Sequence, residues 1–329
     1  MNLHQFRFVQ EAVRRKLNLT ETAKALFTSQ PGVSKAILEL EEELGVDIFA
    51  RHGKRLRRVT EPGQLVLKSI ETIMREVANL KRIGDEYSKQ DAGTLSIATT
   101  HTQARYFLPQ RVAELRRRFP KVQVVLHQGM PEQVARMLLD DVADVGLATE
   151  ALAGYDELVT LPCYEWQHML VLPAQHPLAA VERPTLEQLA AVPLVLYHPS
   201  MTGRARIDQA FERARLKPQV ALEGIDSDVI LTYVRMGLGA GIVTELAARD
   251  DNLAARPAGN GEGPGISLVV RPLGHLFGPN TTRVAFKRGA YLRHFVYAFA
   301  ELLSDRLSAA FIQRALGAHA DTDTSHYDL

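Results

Sequence analysis

The hydrophobic positions of the first ninety or so residues recur at helical intervals. Phe6, Val9, Ala12 and Val13 fall on one face of an opening helix. Thr20 is placed to cap a short second helix that carries Ala23, Leu26 and Phe27 on one side. Ser29 is placed to cap a third, with Pro31 in the first turn, where the backbone amides have no intrahelical partner. Val33, Ile37, Leu40 and Leu44 form its apolar stripe, and Gly45 supplies the left-handed residue that ends it. Apolar burial resumes at Ile48 and Phe49, and Gly53 marks the tip of a short hairpin. A long helix then starts at the cap Thr60. Its Val66, Ile70, Ile73, Val77 and Leu80 alternate by four and three, a heptad seam suited to pairing two chains, and Tyr87 carries the seam once more beyond Gly84. A core helix of a single domain would also give this stripe.

From Gly93 the rhythm changes. Leu95–Ala98, the alternating Val122, Val124 and Leu126, and Val145–Ala148 read as strands, separated by helices over about 102–119 and 132–140. The same order restarts with the strand 194–197, the helices 203–214 and 226–236, and the strand 241–243. Such alternation predicts parallel sheets with helices on both faces, arranged as two α/β lobes with a cleft between them, where a small ligand can bind.

Composition narrows the function. The chain has 329 residues, 46% apolar and 23% charged, as an ordinary globular protein does. One cysteine, Cys163, excludes an intrachain disulfide framework and a cysteine-rich metal site, and reads as a packed thiol rather than a redox sensor. No apolar run is long enough for a membrane span, and the start MNLHQFRF has no export signal, so the expected location is the cytoplasm. A net charge of +1 argues at first against nucleic acid. It is a sum of unlike parts, however. The first sixty residues hold eleven basic and seven acidic side chains, a surplus of four, and the remainder carries a deficit of three. Arg51–Arg58 contains five basic residues and no acidic one.

Two short helices, a tight turn, a third helix opening with Gln30, Ser34 and Lys35, and a basic hairpin with Lys54 and Arg55 make a DNA-binding head. Amide and hydroxyl side chains on a helix's first turns can read base edges, and the hairpin's cations can lie along phosphates.

The stretch LTETAKALFTSQPGVSKAILELEEELGVDIFARHGKRLRRVTEPG resembles the N-terminal domain of LysR-type transcriptional regulators. Gly32 stands where alanine is often found. The resemblance implies a winged helix-turn-helix with Gln30, Pro31, Ser34 and Lys35 near the bases and Arg51, Lys54 and Arg55 near phosphates. It implies an α/β protein with a winged helix-turn-helix over 1–59, a linker and dimerisation helix over 60–90, and a two-lobed effector domain over 91–315 of the kind seen in periplasmic binding proteins. Lobe I takes about 91–161 and 267–315 and lobe II about 162–266, with 316–329 a polar, disordered tail. It further implies double-stranded DNA as partner, a homodimer through the linker helix assembling as a homotetramer, RNA polymerase as a further partner, and activation rather than repression.

Thr99–Arg105 lies where a strand ends and a helix begins, a place where free amides and the helix dipole favour an anion. Thr100, Thr102 and Gln103 add neutral donors, and the same threonines could simply cap the helix. His101 has no metal-ligand partner at useful spacing and reads as a surface or cap residue. TTHTQARY, YEWQHMLVLP, HPSMTGR and NTTRVAFKRGAYLRHFVYAF resemble the CysB-like branch of the family over residues 1 to about 315. That branch implies sulfate, thiosulfate or an O- or N-acetylserine as effector and genes of sulfur assimilation, cysteine biosynthesis or sulfonate use as targets. The matching effector residues are Thr100, Thr102, Gln103, Trp166 and Thr202, with Trp166 readable also as a half-buried packing aromatic, and Thr149, at the end of the strand DVGLAT, is placed to face the same cleft. Another small anion, such as a carboxylate, is the alternative effector. The cleft motif offers no nucleophile–base pair, metal cluster or cofactor loop, so neither an enzyme nor a resident cofactor or metal is expected.

Overall fold

A computed structural model of the chain describes residues 1–53, 55–89, 91–249, 253 and 267–317. They fall into two compact units, Met1–Tyr87 and Ser88–Leu329.

The first unit contains α1 (Leu3–Arg14), α2 (Leu19–Ala25), α3 (Gln30–Leu44), the hairpin β1 (Phe49–His52) and β2 (Arg55–Val59), and α4 (Glu61–Lys89). Ser29 Oγ accepts from the Gly32 amide, Gly45 ends α3 at φ 70°, and Thr60 Oγ1 accepts from the Gly63 amide at 2.9 Å. The cap of α2 is not Thr20. Asn18 holds that place, its Oδ1 accepting from the amides of Thr20 and Glu21. The helix therefore starts two residues early and closes at Ala25. Phe27, expected on its buried side, adopts φ 51° and is 98% exposed.

Val9, Ala12, Val33, Ile37, Leu40, Ile48, Phe49 and Leu56 form the core of this unit, and Leu67 and Ile70 of α4 join it. The first turns of the heptad seam thus pack within their own domain, with Val66 and Met74 against the same cluster. The reason is steric: α4 leaves the hairpin at once and must cover its open face. Farther along, Ile73, Leu80 and Tyr87 remain exposed.

The second unit holds two sheets of five strands. In chain order it contains β3 (Gly93–Thr99), α5 (Leu108–Arg118), β4 (Val122–Gln128), α6 (Pro131–Leu139), β5 (Val145–Ala148), β6 (Leu158–Trp166) and β7 (His168–Pro173). Next come α7 (Leu186–Ala190), β8 (Pro193–Tyr197), α8 (Thr202–Arg213), β9 (Gln219–Gly224), α9 (Ser227–Arg235), β10 (Ala240–Thr244) and α10 (Glu245–Ala248). β11 (Leu268–Pro272), α11 (Gly274–Phe277), β12 (Asn280–Lys287), α12 (His294–Leu303) and α13 (Ala309–Gly317) complete it.

Lobe I has strand order β4-β3-β5-β12-β6 and lobe II β11-β7-β10-β8-β9. Neither sheet is purely parallel, as the alternation had suggested: β12 runs antiparallel to both its neighbours, and so does β7. Each lobe is closed by chain returning from the other, which removes the need for a parallel crossover. The same two strands move the lobe boundaries. β6 stays in lobe I through Trp166, so the first crossing is at Gln167 rather than near 161. β11 pairs with β7 in lobe II, so the return lies between Pro272 and Asn280 rather than at 266. The two crossings are tied together: the Leu273 amide donates to His168 O at 2.9 Å, and Asn280 Nδ2 lies 3.3 Å from His168 Nδ1.

One irregularity falls at the cleft. The helix expected over 102–119 opens instead with a π-helical turn, Gln103–Phe107, before α5. Pro109 has no amide hydrogen to give Arg105 O, so regular winding cannot pass through it. Arg111 Nη1 donates to the Phe107 carbonyl at 3.1 Å.

Cys163 is buried in the lobe I core with Sγ facing Leu303 O, and burial pushes its thiol up to about 12, as a packed rather than reactive cysteine requires. Leu316 and Gly317, expected in the tail, belong to α13; residues 318–329 and 260–265 lie outside the described residues. Among the described residues no helix is long and apolar enough to cross a membrane.

Candidate functional site

Between the two lobes lies a pocket lined by Thr100, Thr102, Gln103, Pro131, Thr149 and Trp166 from lobe I and by Tyr197, Met201, Gly203 and Thr244 from lobe II. The structure therefore brings together five of the six cleft residues expected from sequence. The sixth, Thr202, opens α8 beside Gly203; its side chain lies outside the described set.

Almost every wall of this pocket is the start of a helix. Thr102 precedes the π-helical turn, Pro131 opens α6, Thr149 precedes the 3₁₀ turn Glu150–Gly154, Gly203 is the second residue of α8, and Thr244 precedes α10. These are also the carboxyl ends of strands: Thr100 follows β3, Thr149 follows β5, Tyr197 ends β8 and Thr244 ends β10. No lysine, arginine, histidine or carboxylate is among the described lining residues. The polarity that these helix starts can offer comes from backbone amides rather than from side-chain cations, an arrangement able to take a small anion without a counter-ion.

The polar side chains are fixed before any ligand arrives. Gln103 donates from Nε2 to Thr282 Oγ1, and its Oε1 accepts from the Tyr164 hydroxyl. Burial pushes the Tyr164 phenol well above its usual range, so it stays a proton donor, and one Gln103 amide hydrogen remains for the pocket. Thr99 spends its hydroxyl on Leu147 O at 2.9 Å, which leaves Thr100 as the first residue of the turn to face the cleft. On the other side the Tyr197 hydroxyl meets Ser227 Oγ at 2.5 Å and accepts from the Thr244 amide at 3.2 Å. Trp166 is 5% exposed, and its Nε1 is buried with no partner among the described residues. A buried donor left unmade costs about 1–3 kcal/mol, so this indole is a group that a ligand can satisfy.

In the N-terminal unit, Gln30 and Ser34 are half-buried and Pro31 and Lys35 exposed on the first turns of α3. Gln30 and Arg55 share a polar groove with Lys16, Asn18 and Thr20. Arg55, Arg57 and Arg58 stand exposed along β2, and Lys54 lies outside the described residues. Arg51 is also paired within the protein. Its guanidinium is 2.8 Å from Glu41, a buried carboxylate that also accepts the amides of Ile48 and Phe49 at 2.9 Å. Arg51 therefore also fastens the hairpin to α3.

The comparisons decide what this pairing of head and cleft is. Residues 3–64 match the bacterial regulatory helix-turn-helix protein family, lysR type, and residues 88–308 match the LysR substrate binding domain. The chain belongs to the LysR family of transcriptional regulators. Among relatives of this LysR-type regulator, the transcriptional regulator CysB of Burkholderia cenocepacia is 53% identical over 322 residues, covering 98% of this chain and 99% of that one. SsuR of the same organism is 47% identical, covering 95% and 97%, and cbl of Escherichia coli is 43% identical, covering 95% and 96%. The cofactor-binding domain of the Cbl transcriptional regulator superposes with a TM-score of 0.63 at 39% identity, over 70% of this chain and 96% of that one. The full-length regulator CbnR, solved with its target DNA, shares the fold at a TM-score of 0.54 and 19% identity, over 94% of this chain and all of that one. These relatives are named as transcriptional regulators, not enzymes; the chain binds DNA through its helix-turn-helix and a small effector through its second domain.

The sequence reading of this regulator missed Pro131, Tyr197, Met201, Gly203 and Thr244. Tyr197 and Thr244 could have been found, because each ends a strand and such ends collect at the cleft. His101 lies at the surface, as expected, but it has the acidic partners that its local spacing did not show: its Nε2 lies 2.8 Å from Asp228 of lobe II, and together with Asp226 the three donor atoms fall within 4.8 Å. A separation of well over a hundred residues hides such a contact from any local pattern.

Proposed function

We propose that this LysR-type regulator controls genes of sulfur assimilation, cysteine biosynthesis or sulfonate use, chiefly as an activator. Its signal is a small anion held in the interlobe pocket: sulfate, thiosulfate or an O- or N-acetylserine. The observation that carries this reading is the pocket at converging helix starts, without charged side chains among its described lining residues and with the Trp166 indole donor lacking a partner among the described residues. A fully ionised tetrahedral anion can accept from every donor there. Hydrogen phosphate carries a proton and needs an acceptor; the described lining residues include no carboxylate, and Gln103 Oε1 already accepts from Tyr164, so the donors outnumber the acceptors. Full-length relatedness to CysB, SsuR and Cbl supports the choice of target genes.

In this reading Gln30, Pro31, Ser34 and Lys35 face the bases and Lys54 and Arg55 the phosphates of a half-site. Two heads are paired through α4, two such dimers form a tetramer, and RNA polymerase is recruited in the cytoplasm. Effector binding acts by preferring one lobe geometry over another.

Calorimetry tests the sensor. Sulfate, thiosulfate and the acetylserines are titrated beside phosphate and acetate. Saturable binding of the sulfur-linked ligands, weakened at least tenfold by Thr100→Ala or Thr102→Ala, is expected. Binding of acetate alone would transfer the reading to a carboxylate sensor, and footprinting without protection at low salt would sink the regulator.

A further inference from the structure

Lobe I and lobe II touch beside the pocket through a compact set of polar contacts. Asp228, in the first turn of α9, accepts from the Tyr106 hydroxyl at 2.8 Å on Oδ1 and lies 2.8 Å from His101 Nε2 on Oδ2. Arg105 Nε is 4.0 Å from the same oxygen. The His101 ring is steered from behind by Gln128 Oε1, 3.2 Å from its Nδ1. The ring of Tyr106, a lobe I residue, packs against the apolar cluster of lobe II formed by Val171, Val195, Ile230 and Val234. Burial pushes the Asp228 carboxyl up, but the His101 and Tyr106 hydrogen bonds outweigh it and hold the group below its usual range. Asp226, next to this cluster, is occupied in capping α9, with Oδ1 accepting from the Val229 amide.

All three lobe I partners come from one segment, His101–Tyr106, that also supplies Thr102 and Gln103 to the pocket. The lobe II partner follows Ser227, whose Oγ lies 3.5 Å from Thr102 and 2.5 Å from Tyr197. We infer that Asp228 is a positioning residue, the keeper of an interlobe clasp that holds the cleft closed around the effector through His101 and Tyr106. The inference rests on the interlobe pocket being the effector site. It gives Asp228 a sign opposite to the one its charge alone would give. A carboxylate next to an anion pocket repels the anion, so a bystander Asp228 makes its neutral replacement bind sulfate more tightly. A clasp makes the same replacement bind sulfate more weakly, because closure then loses its charge-assisted bonds.

The test uses the full chain, sulfate as probe, and Trp166, the sole tryptophan, as gauge of the cleft. Asp228→Asn is expected to weaken sulfate binding by about three- to tenfold, the worth of one half-exposed charge-assisted hydrogen bond. Tyr106→Phe, which changes no charge, should weaken it by about threefold. His101→Gln combined with Asp228→Asn should cost little more than Asp228→Asn alone, as two ends of one contact do. In the ligand-free proteins, acrylamide should quench Trp166 more readily in both single variants than in the parent. Tighter or unchanged sulfate binding in Asp228→Asn, with quenching as in the parent, overturns the clasp. If the parent binds no sulfate while the variants still expose Trp166, the effector assignment fails and the clasp stands.

Discussion

Arg51 and Glu41 are joined at 2.8 Å inside the winged head, the carboxylate 4% exposed and the guanidinium 21%. The hairpin's first basic residue thus serves the fold, while Arg55, Arg57 and Arg58 stand exposed along β2. Arg51→Ala should lower the stability of the N-terminal unit by about 1.5–3 kcal/mol, the worth of a hydrogen bond to a buried charge. Arg55→Ala should leave stability within about 0.5 kcal/mol. It should reduce DNA affinity and lower the salt slope by about one unit. Chemical denaturation and binding at several salt concentrations separate the two; equal loss of stability in both variants contradicts the division.

Gly203 lies close against the Trp166 wall of the pocket. A Cβ at that position would stand 3.0 Å from Trp166 Cη2 and 3.1 Å from His168 Nε2. Gly203→Ala should displace the indole at a cost of about 1–3 kcal/mol, weaken anion binding by roughly tenfold, and shift Trp166 emission. Unchanged fluorescence together with unchanged calorimetry would show that the wall has room to spare.

His168 carries a pH dependence. Burial first, and Arg206 second, push its pKa down from 6.5 to about 4. The unfolded chain takes up this proton near its ordinary value, whereas the native chain does not until near the lower one. The stability contributed by the neutral ring is complete above the upper value and is lost as pH falls toward the lower one, by about 2 kcal/mol between pH 7 and pH 5. Denaturant midpoints at those two pH values check it: His168→Gln should show a visibly flatter slope than the parent.

Leu80 and Tyr87 are 68% and 80% exposed on α4, beyond the part of the helix that its own domain buries. Leu80→Glu should shrink the assembly seen by sedimentation while circular dichroism stays unchanged. A tetramer that persists in Leu80→Glu and in Ile73→Glu would move the pairing surface elsewhere.

Local chemistry made much of this legible. Ser29, Gly45 and Thr60 perform the capping their sequence positions announce, because a cap depends on residues three or four apart. The threonine turn and Thr149 reach the pocket as read, since each sits at the end of a strand that the apolar pattern marks; Trp166, which only the family resemblance pointed to, ends β6 and lines the same pocket. Thr20 is a local choice between two capping residues two positions apart, and Asn18 takes the place. The other misses depend on distant partners. Arg51 looked free because Glu41 lies ten residues away on another element. The lobe boundaries moved because β6 and β11 take their places from partners far along the chain, and Pro109 alone forewarned of the π-helical turn.

The two passages of the chain between the lobes are laced to each other at His168, by the Leu273 amide on one side and Asn280 on the other. Two strands so joined form a hinge, at which bending costs less than sliding one lobe past the other. Ligands of different shape are then expected to differ in how often the cleft is closed around them rather than in where the chain bends.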